Sequence, residues 1–318
     1  MTRRGRHFGL PVCETTGGNM NHKKITTALF AAMMCLGGLV QAEEVSIAHS
    51  GLHLVGELRV PEGGSLTDGP LVLMTHGTLA HGGMEIMQAM QQGLEDQGVA
   101  SLAINLSLGL DSRRGMYDCG VTHTHRHTDA MGEIGAWLKW AKGRGAKDVV
   151  LLGHSRGGNQ TAWFAAENDD ASVRKVVLVA PATWSRESRD AAYRNAYGKD
   201  LADVYRQAQR VNAANGGKGT LKAGFIYCPD AEVTAASFVD YYADEPRMDT
   251  PSLFNKINEQ VLVIAGSEDT VVEGLIEKTA PAAEDGKVQL VVIDGADHFF
   301  LDLYAEEAVD AIVDFLND

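Results

Sequence analysis

The sequence predicts an α/β fold: a mostly parallel twisted sheet with helices on both faces and a helical cap inserted late in the chain. Three observations carry this. From Glu43 onward, short β-rich runs alternate with helical stretches, the order expected of a parallel sheet whose crossovers are helices. Six of those runs are apolar almost without alternation, as strands covered on both faces should be. One stretch, 184–250, breaks the rhythm with polar helical material and offers no comparable strand.

VSIAHS and LHLVGELRVP, hinged at Gly51, read as an antiparallel hairpin at one edge. The strand candidates that follow are PLVLMTHG (70–77), ASLAINLS (100–107), DVVLLGHS (148–155), KVVLVAPA (175–182), QVLVIAGS (260–267) and VQLVVIDG (288–295). Between them, Met87, Met90 and Leu94 share one face of a helix over 84–97, and Met131, Ile134, Trp137 and Leu138 one face of a helix over 129–142. Val309, Ile312, Phe315 and Leu316 do the same near the C-terminus. Methionine at such spacing is core packing, and these residues are assigned no chemistry. The insertion 184–250 contains RESRDAAYRNAY, LADVYRQAQRV, NGGKG and ASFVDYYADE. Its length between two sheet strands suits a lid that shapes a substrate pocket, so 43–318 is read as one domain including its cap.

The chain has 318 residues, 45% of them hydrophobic, which is enough for a large core. Its formal charge is −14. Residues 1–42 hold Arg3, Arg4, Arg6, Lys23 and Lys24 against Glu14, a net +4 that leaves −18 for the remainder. So acidic a body repels nucleic acid and anionic lipid at long range, and neither is expected as a partner.

Residues 20–42, MNHKKITTALFAAMMCLGGLVQA, have a lysine pair, an apolar stretch from Ile25 to Val40, and small residues at Val40 and Ala42. This is the layout of a secretory signal cleaved after Ala42, with translation starting at Met20. Retention as a membrane anchor is disfavoured, because Thr26, Thr27, Gly37 and Gly38 dilute a segment already short for a span. The expected location is therefore periplasmic or secreted. Cleavage removes Cys13 and Cys35, leaving Cys119 and Cys228 as a pair in an oxidising compartment, where they are expected to be bonded.

Gly153-His154-Ser155-Arg156-Gly157 fits G-x-S-x-G, with a strand candidate before it and the helix-compatible NQTAWFAAE after it. At so sharp a turn, side chains at 153 and 157 would collide with backbone, and the serine is held with Oγ projecting above the sheet. A serine hydroxyl barely ionises at neutral pH, so it needs a base and a group that orients the base. Both are available downstream: Glu268 and Asp269 beyond one strand, His298 beyond the next.

In the order Ser155, Asp269, His298, and in the placement of the elbow, the chain resembles the α/β-hydrolase-fold superfamily over about residues 44–318. The resemblance implies catalytic Ser155, Asp269 and His298, with Glu268 as the alternative acid. It also implies an oxyanion hole formed by the backbone N–H of Arg156 and by that of Thr78 or Leu79, in the HG-x-like loop His76-Gly77-Thr78-Leu79. The HGGG form of many lipases is missing. Asp294 and Asp297 lie too close in sequence to His298 to orient it and are read as loop residues. His154 is expected to pack beside the elbow, and His76 to support the loop.

THTHRHTDA places His123, His125, His127 and Asp129 within seven residues. It partly resembles a zinc site of the metallo-β-lactamase type, but Ala130 stands where that family has a further histidine, and the segment leads into a helix that Thr128 or Asp129 would cap. A polar wall near the pocket mouth is the expected role. The function expected from these residues is a serine hydrolase cleaving a small-molecule ester or related acyl compound, with neither cofactor nor metal. Amide cleavage and acyl transfer remain open on the same triad, and a non-catalytic binding protein is the reading from another class. Nothing in the sequence sets the acyl-chain preference or the oligomeric state.

Overall fold

The sheet is built from eight strands, in the spatial order Glu43–His49, Leu52–Arg59, Ala100–Asn105, Leu71–Thr75, Val149–His154, Val173–Val179, Gln260–Gly266 and Val288–Ile293. The computed structural model describes residues 42–318, so the leader, except Ala42, lies outside the described residues. The first strands are β1 (Glu43–His49), β2 (Leu52–Arg59), β3 (Leu71–Thr75) and β4 (Ala100–Asn105), with helix α1 (Glu85–Asp96) between β3 and β4. Then follow α2 (Asp129–Gly143), β5 (Val149–His154), α3 (Arg156–Glu167) and β6 (Val173–Val179). The cap contains α4 (Arg186–Tyr197), α5 (Leu201–Ala214), β7 (Thr220–Phe225), β8 (Cys228–Thr234) and α6 (Ala235–Tyr241). Two 3₁₀ helices, Pro246–Met248 and Thr250–Lys256, lead back to β9 (Gln260–Gly266), α7 (Leu275–Glu284), β10 (Val288–Ile293) and α8 (Leu303–Asn317).

β1 pairs antiparallel with β2, and β2 with β4. All other neighbours in the large sheet are parallel. Because side chains alternate along a strand, each apolar run feeds two cores. Leu71 and Leu73 join Trp137, Leu151 and Phe164 on one face. Val72 and Met74 join Met87, Met90, Leu152 and Ile312 on the other, under α1 and α8. Each such aliphatic side chain contributes about 1.5–3 kcal/mol on full burial. Helices α1 and α8 pack so closely that a Cβ on Gly93 would come within 2.8 Å of Val309 Cγ2.

β10 departs from the expected pattern. As the last strand of the sheet it leaves Gln289 and Val292 exposed and Leu290 and Val291 half-buried.

The insertion is not wholly helical, which corrects the expectation of a cap without strands: β7 and β8 form a two-stranded antiparallel hairpin. Period-two burial is present there, with Leu221, Ala223, Ala231 and Val233 inside and Lys222 and Glu232 outside. Its turn, however, is Ile226-Tyr227, both at positive φ (29° and 74°). Such turns ordinarily use Gly or Asn, so the usual sequence signal is missing. The strain is held from outside: the Tyr242 hydroxyl accepts from Ile226 N–H at 3.2 Å, and that of Tyr197 from Tyr227 N–H at 3.0 Å. Leu201, Phe225 and Phe238 of the cap share one continuous apolar cluster with Leu73 and Leu151.

Cys119 and Cys228 form a disulfide, with Cα atoms 5.5 Å apart. It ties the connection after β4 to the cap hairpin, where His123 also bridges to β8 through His123 N–H to Glu232 O (2.8 Å) and Thr234 N–H to His123 O (2.9 Å). Among the described residues no helix is long and apolar enough to cross a membrane.

Candidate active site

The C-terminal end of β5 runs straight into α3 through Ser155, which sits at φ 58°, ψ −125°. This backbone conformation costs a non-glycine residue on the order of 1–3 kcal/mol, and the surroundings impose it. Ser155 N–H donates to Val179 O at 3.0 Å, and its carbonyl accepts from Gly158 N–H (3.0 Å) and Ala182 N–H (2.9 Å). A Cβ at 153 would strike the Gly157 carbonyl, and one at 157 the His76 carbonyl. Gly158, to which the sequence reading gave no role, is needed as well: its Cβ would lie 2.9 Å from Pro181 Cα.

Ser155 Oγ is 2.9 Å from His298 Nε2, and His298 Nδ1 is 2.8 Å from Asp269 Oδ2. Three side chains spread over 143 positions thus meet at the ends of β5, β9 and β10. His298 and Asp269 are nearly sealed from solvent, with side-chain exposures of 5% and 6%. Asp269 Oδ1 accepts from Val271 N–H (2.7 Å) and Val272 N–H (3.0 Å). Burial pushes the Asp269 carboxyl up, but the His298 hydrogen bond and the backbone N–H groups outweigh it and hold the carboxyl below its ordinary range. With a carboxylate on Nδ1, the imidazole carries its proton there and offers a bare Nε2 to the serine. Glu268, the alternative acid, is exposed, and only its backbone N–H is engaged, to Ala296 O. Asp294 accepts from the Ser267 hydroxyl and Asp297 from Phe299 N–H, so neither reaches the imidazole.

The loop after β3 comes right up to Ser155: a Cβ on Gly77 would be 3.1 Å from Ser155 Cβ. Among the described residues, the backbone N–H groups of Thr78, Leu79 and Arg156 have no hydrogen-bond acceptor. Leu79 adopts φ 55°, a further strained position in this loop. His76 anchors the loop from below. Its Nδ1–H donates to Gly77 O (2.9 Å), while Nε2 accepts from Leu106 N–H (3.1 Å) and from Arg113 (3.0 Å). Burial, with Arg113 beside it, lowers His76 to about 3, so this ring is neutral and serves as scaffold.

The histidine cluster does not line a mouth, contrary to expectation: His123, His125 and His127 are fully buried under the cap. His123 Nδ1 meets His125 Nε2 at 3.2 Å, and His125 Nδ1 meets the Tyr241 hydroxyl at 2.9 Å. His127 packs between Trp163 and Tyr241. Burial lowers His123 to about 4 and His125 and His127 to about 3. Among the described residues no three His, Cys, Asp or Glu side chains are grouped as metal ligands. Thr128 occupies the N-cap of α2 without capping it, because its hydroxyl donates to Asp240 instead (2.8 Å).

The sequence profile described as Alpha/beta hydrolase family matches residues 72–315. The chain belongs to this alpha/beta hydrolase family. No curated protein sequence matches it. Among solved structures, this alpha/beta hydrolase is similar to Est1E from Butyrivibrio proteoclasticus, with 19% identity, TM-score 0.58, and coverage of 86% of this chain and 99% of that one. It is also similar to the alpha/beta hydrolase GrgF from Penicillium sp. sh18, with 15% identity, TM-score 0.62, and 87% and 98% coverage. The Pyrococcus furiosus esterase Pf2001 matches at 18% identity, TM-score 0.54, with 87% and 90% coverage. At these identities the likeness is one of fold.

One residue of this site escaped the sequence reading in its detail. His154 Nε2–H donates to the His298 carbonyl at 2.9 Å, so the residue before Ser155 holds the backbone of the histidine opposite it.

Proposed function

We propose that this alpha/beta hydrolase is an exported serine hydrolase that cleaves a carboxylic ester or a related acyl compound through an acyl-enzyme. The observation that carries the proposal is the continuous hydrogen-bonded line Asp269–His298–Ser155, at 2.8 and 2.9 Å, beside a loop with unengaged amides. His298 Nε2 takes the Ser155 proton as Oγ adds to the substrate carbonyl carbon. The oxyanion that forms accepts hydrogen bonds from the N–H of Arg156 and from that of Thr78 or Leu79, which are held in place before the reaction begins. Collapse breaks the ester C–O bond, and His298 hands its proton to the departing alcohol. Water, deprotonated by the same nitrogen, then adds to the acyl-enzyme, and the acid leaves as Ser155 recovers its proton.

Asp269 fixes the imidazole tautomer and stabilises the transient imidazolium. Export is supported by the basic-then-apolar leader and by the Cys119–Cys228 disulfide, a bond that persists in oxidising compartments. A fluorophosphonate probe tests the proposal, paired with p-nitrophenyl esters from acetate to palmitate. Labelling of Ser155, lost in Ser155→Ala and His298→Ala, with hydrolysis of at least one short ester, is the expected result. Folded protein inert to both overturns it in favour of a binding role.

A further inference from the structure

We propose that the side chain of Arg156 is a recognition group for a carboxylate carried by the substrate of Ser155. This rests on the reading of Ser155 as nucleophile and adds the chemical class of what it attacks.

The basis is a cation without a counter-ion beside the reacting hydroxyl. Arg156 is half-buried, and among the described residues it has no carboxylate within salt-bridge distance. Its Nε–H donates to Thr78 Oγ1 at 3.0 Å, Nη1 lies 3.5 Å from His127 Nδ1, and the guanidinium sits 5.4 Å from the Tyr241 ring centre. Each of these partners is neutral. An arginine side chain is a permanent cation with five N–H donors, and here most of them have no acceptor.

The carboxylates that could have neutralised it are committed elsewhere. Asp240 accepts from His127 N–H and the Thr128 hydroxyl, Asp129 from Arg126 N–H, Glu133 from Ser107, and Glu245 from Arg247. The remaining non-exposed arginines among the described residues are treated differently. Arg59, Arg189 and Arg247 each pair with a carboxylate, and Arg113 donates to the carbonyls of Leu106 and Gly115.

Holding a charge partly out of water without a partner is costly, and the cost is recovered when an anion arrives. The guanidinium fork suits a carboxylate, which it can grip with two parallel hydrogen bonds. Position gives the specificity: Arg156 adjoins Ser155 in the chain and shares Thr78 with the loop facing the nucleophile. A bound carboxylate would therefore stand within one side-chain length of the reacting carbonyl. The acidic body opposes an anionic substrate at long range, but salt screens that field beyond about 8–10 Å, whereas the contact itself is direct.

Two pairs of esters, each a carboxylate against its neutral amide counterpart, test this and locate the charge. For the acyl side the pair is p-nitrophenyl hydrogen glutarate and p-nitrophenyl glutaramate; for the alcohol side it is 4-carboxyphenyl butyrate and 4-carbamoylphenyl butyrate. Spontaneous hydrolysis is subtracted with a Ser155→Ala blank. In at least one pair the carboxylate ester should be preferred about tenfold or more in kcat/KM, mostly through KM, with the preference shrinking as NaCl is raised. Arg156→Gln should bring that ratio near one, and Arg156→Lys should keep most of it. A wild-type ratio near one in both pairs overturns the proposal, and so does a ratio that Arg156→Gln leaves intact. Equal loss on charged and neutral esters in Arg156→Gln also overturns it, assigning Arg156 to holding the cap. If that variant does not fold, the wild-type ratios and their salt dependence decide. Neutral esters turned over without charge preference leave the serine-hydrolase reading standing. Labelling at Ser155 with none of the four esters hydrolysed overturns the carboxylate proposal alone, and absence of both labelling and turnover overturns the two together.

Discussion

The imidazoles of His154 and His298 lie 4.9 Å apart between ring centres, and His154 Nε2–H donates to the main-chain carbonyl of His298 at 2.9 Å. Burial, reinforced by His298 beside it, lowers His154 to about 4, so at neutral pH it is an uncharged donor with one fixed tautomer. On the proposed mechanism, residue 154 positions the base. His154→Phe, which keeps a ring but loses the donor, should lower kcat roughly ten- to hundredfold with KM little changed. His154→Gln, whose amide can still donate, should recover part of that loss. Steady-state kinetics on one ester checks both, and equal rates in wild type and His154→Phe would refute the role.

Asp269 and Glu268 are neighbours in sequence with different surroundings. Asp269→Asn should cost on the order of 10³–10⁴-fold in kcat, because the amide can stabilise the wrong imidazole tautomer. Glu268→Gln should stay within about twofold, as expected of an exposed side chain. If the two variants lose activity equally, the acid has been misassigned.

The disulfide closes a loop across 109 positions. In the chain-entropy picture such a loop contributes about 4–5 kcal/mol, a model-dependent figure. Cys119→Ser with Cys228→Ser should lower the denaturation midpoint by several degrees or more, measured by urea or thermal unfolding without reductant. An unchanged midpoint would assign the stability of the cap to its apolar contacts alone.

Glu133 is buried and accepts from Ser107 N–H (2.7 Å) and the Ser107 hydroxyl (2.5 Å). Burial raises its carboxyl to about 7. A carboxyl raised in the folded state stabilises fully below its unfolded value, and that contribution fades as pH climbs to the folded value. This share of stability, at most about 3 kcal/mol, should therefore disappear between roughly pH 4.5 and 7. His76, His123, His125, His127 and His154 act with the opposite sign: each is lowered, so its contribution is present above about pH 6.5 and is lost on acidification. Five groups outweigh one, and net stability should drop steeply below about pH 6.5. Glu133→Gln should remove only the opposing slope. A wild-type minus Glu133→Gln difference that is flat from pH 4.5 to 7.5 would contradict this.

Much of the large sheet was legible because β3 to β6 and β9 are continuous apolar runs, and burial on two faces leaves a strand little freedom of composition. The hairpin β7–β8 was not, since Ile226 and Tyr227 take left-handed conformations that only tertiary contacts with Tyr197 and Tyr242 sustain. The same divide runs through the site. Ser155, Asp269 and His298 stand at strand ends in recognisable order, so their meeting was expected. The surroundings of Arg156 were not readable, because Thr78, His127 and Tyr241 reach it from three distant segments. His123, His125 and His127 read as a polar wall near the pocket mouth because their roof, the cap, carries no compositional sign of where it folds down.

The bond between Cys119 and Cys228 makes a covalent ring out of everything between them, including β5, α3 and the whole first half of the cap. A protease that severs the chain at the exposed pair Asn215–Gly216 therefore opens the ring without dividing the molecule. The nicked chain stays one particle on a gel until reductant is added, with the hydroxyl of residue 155 and the imidazole of residue 298 still joined to one another through sulfur.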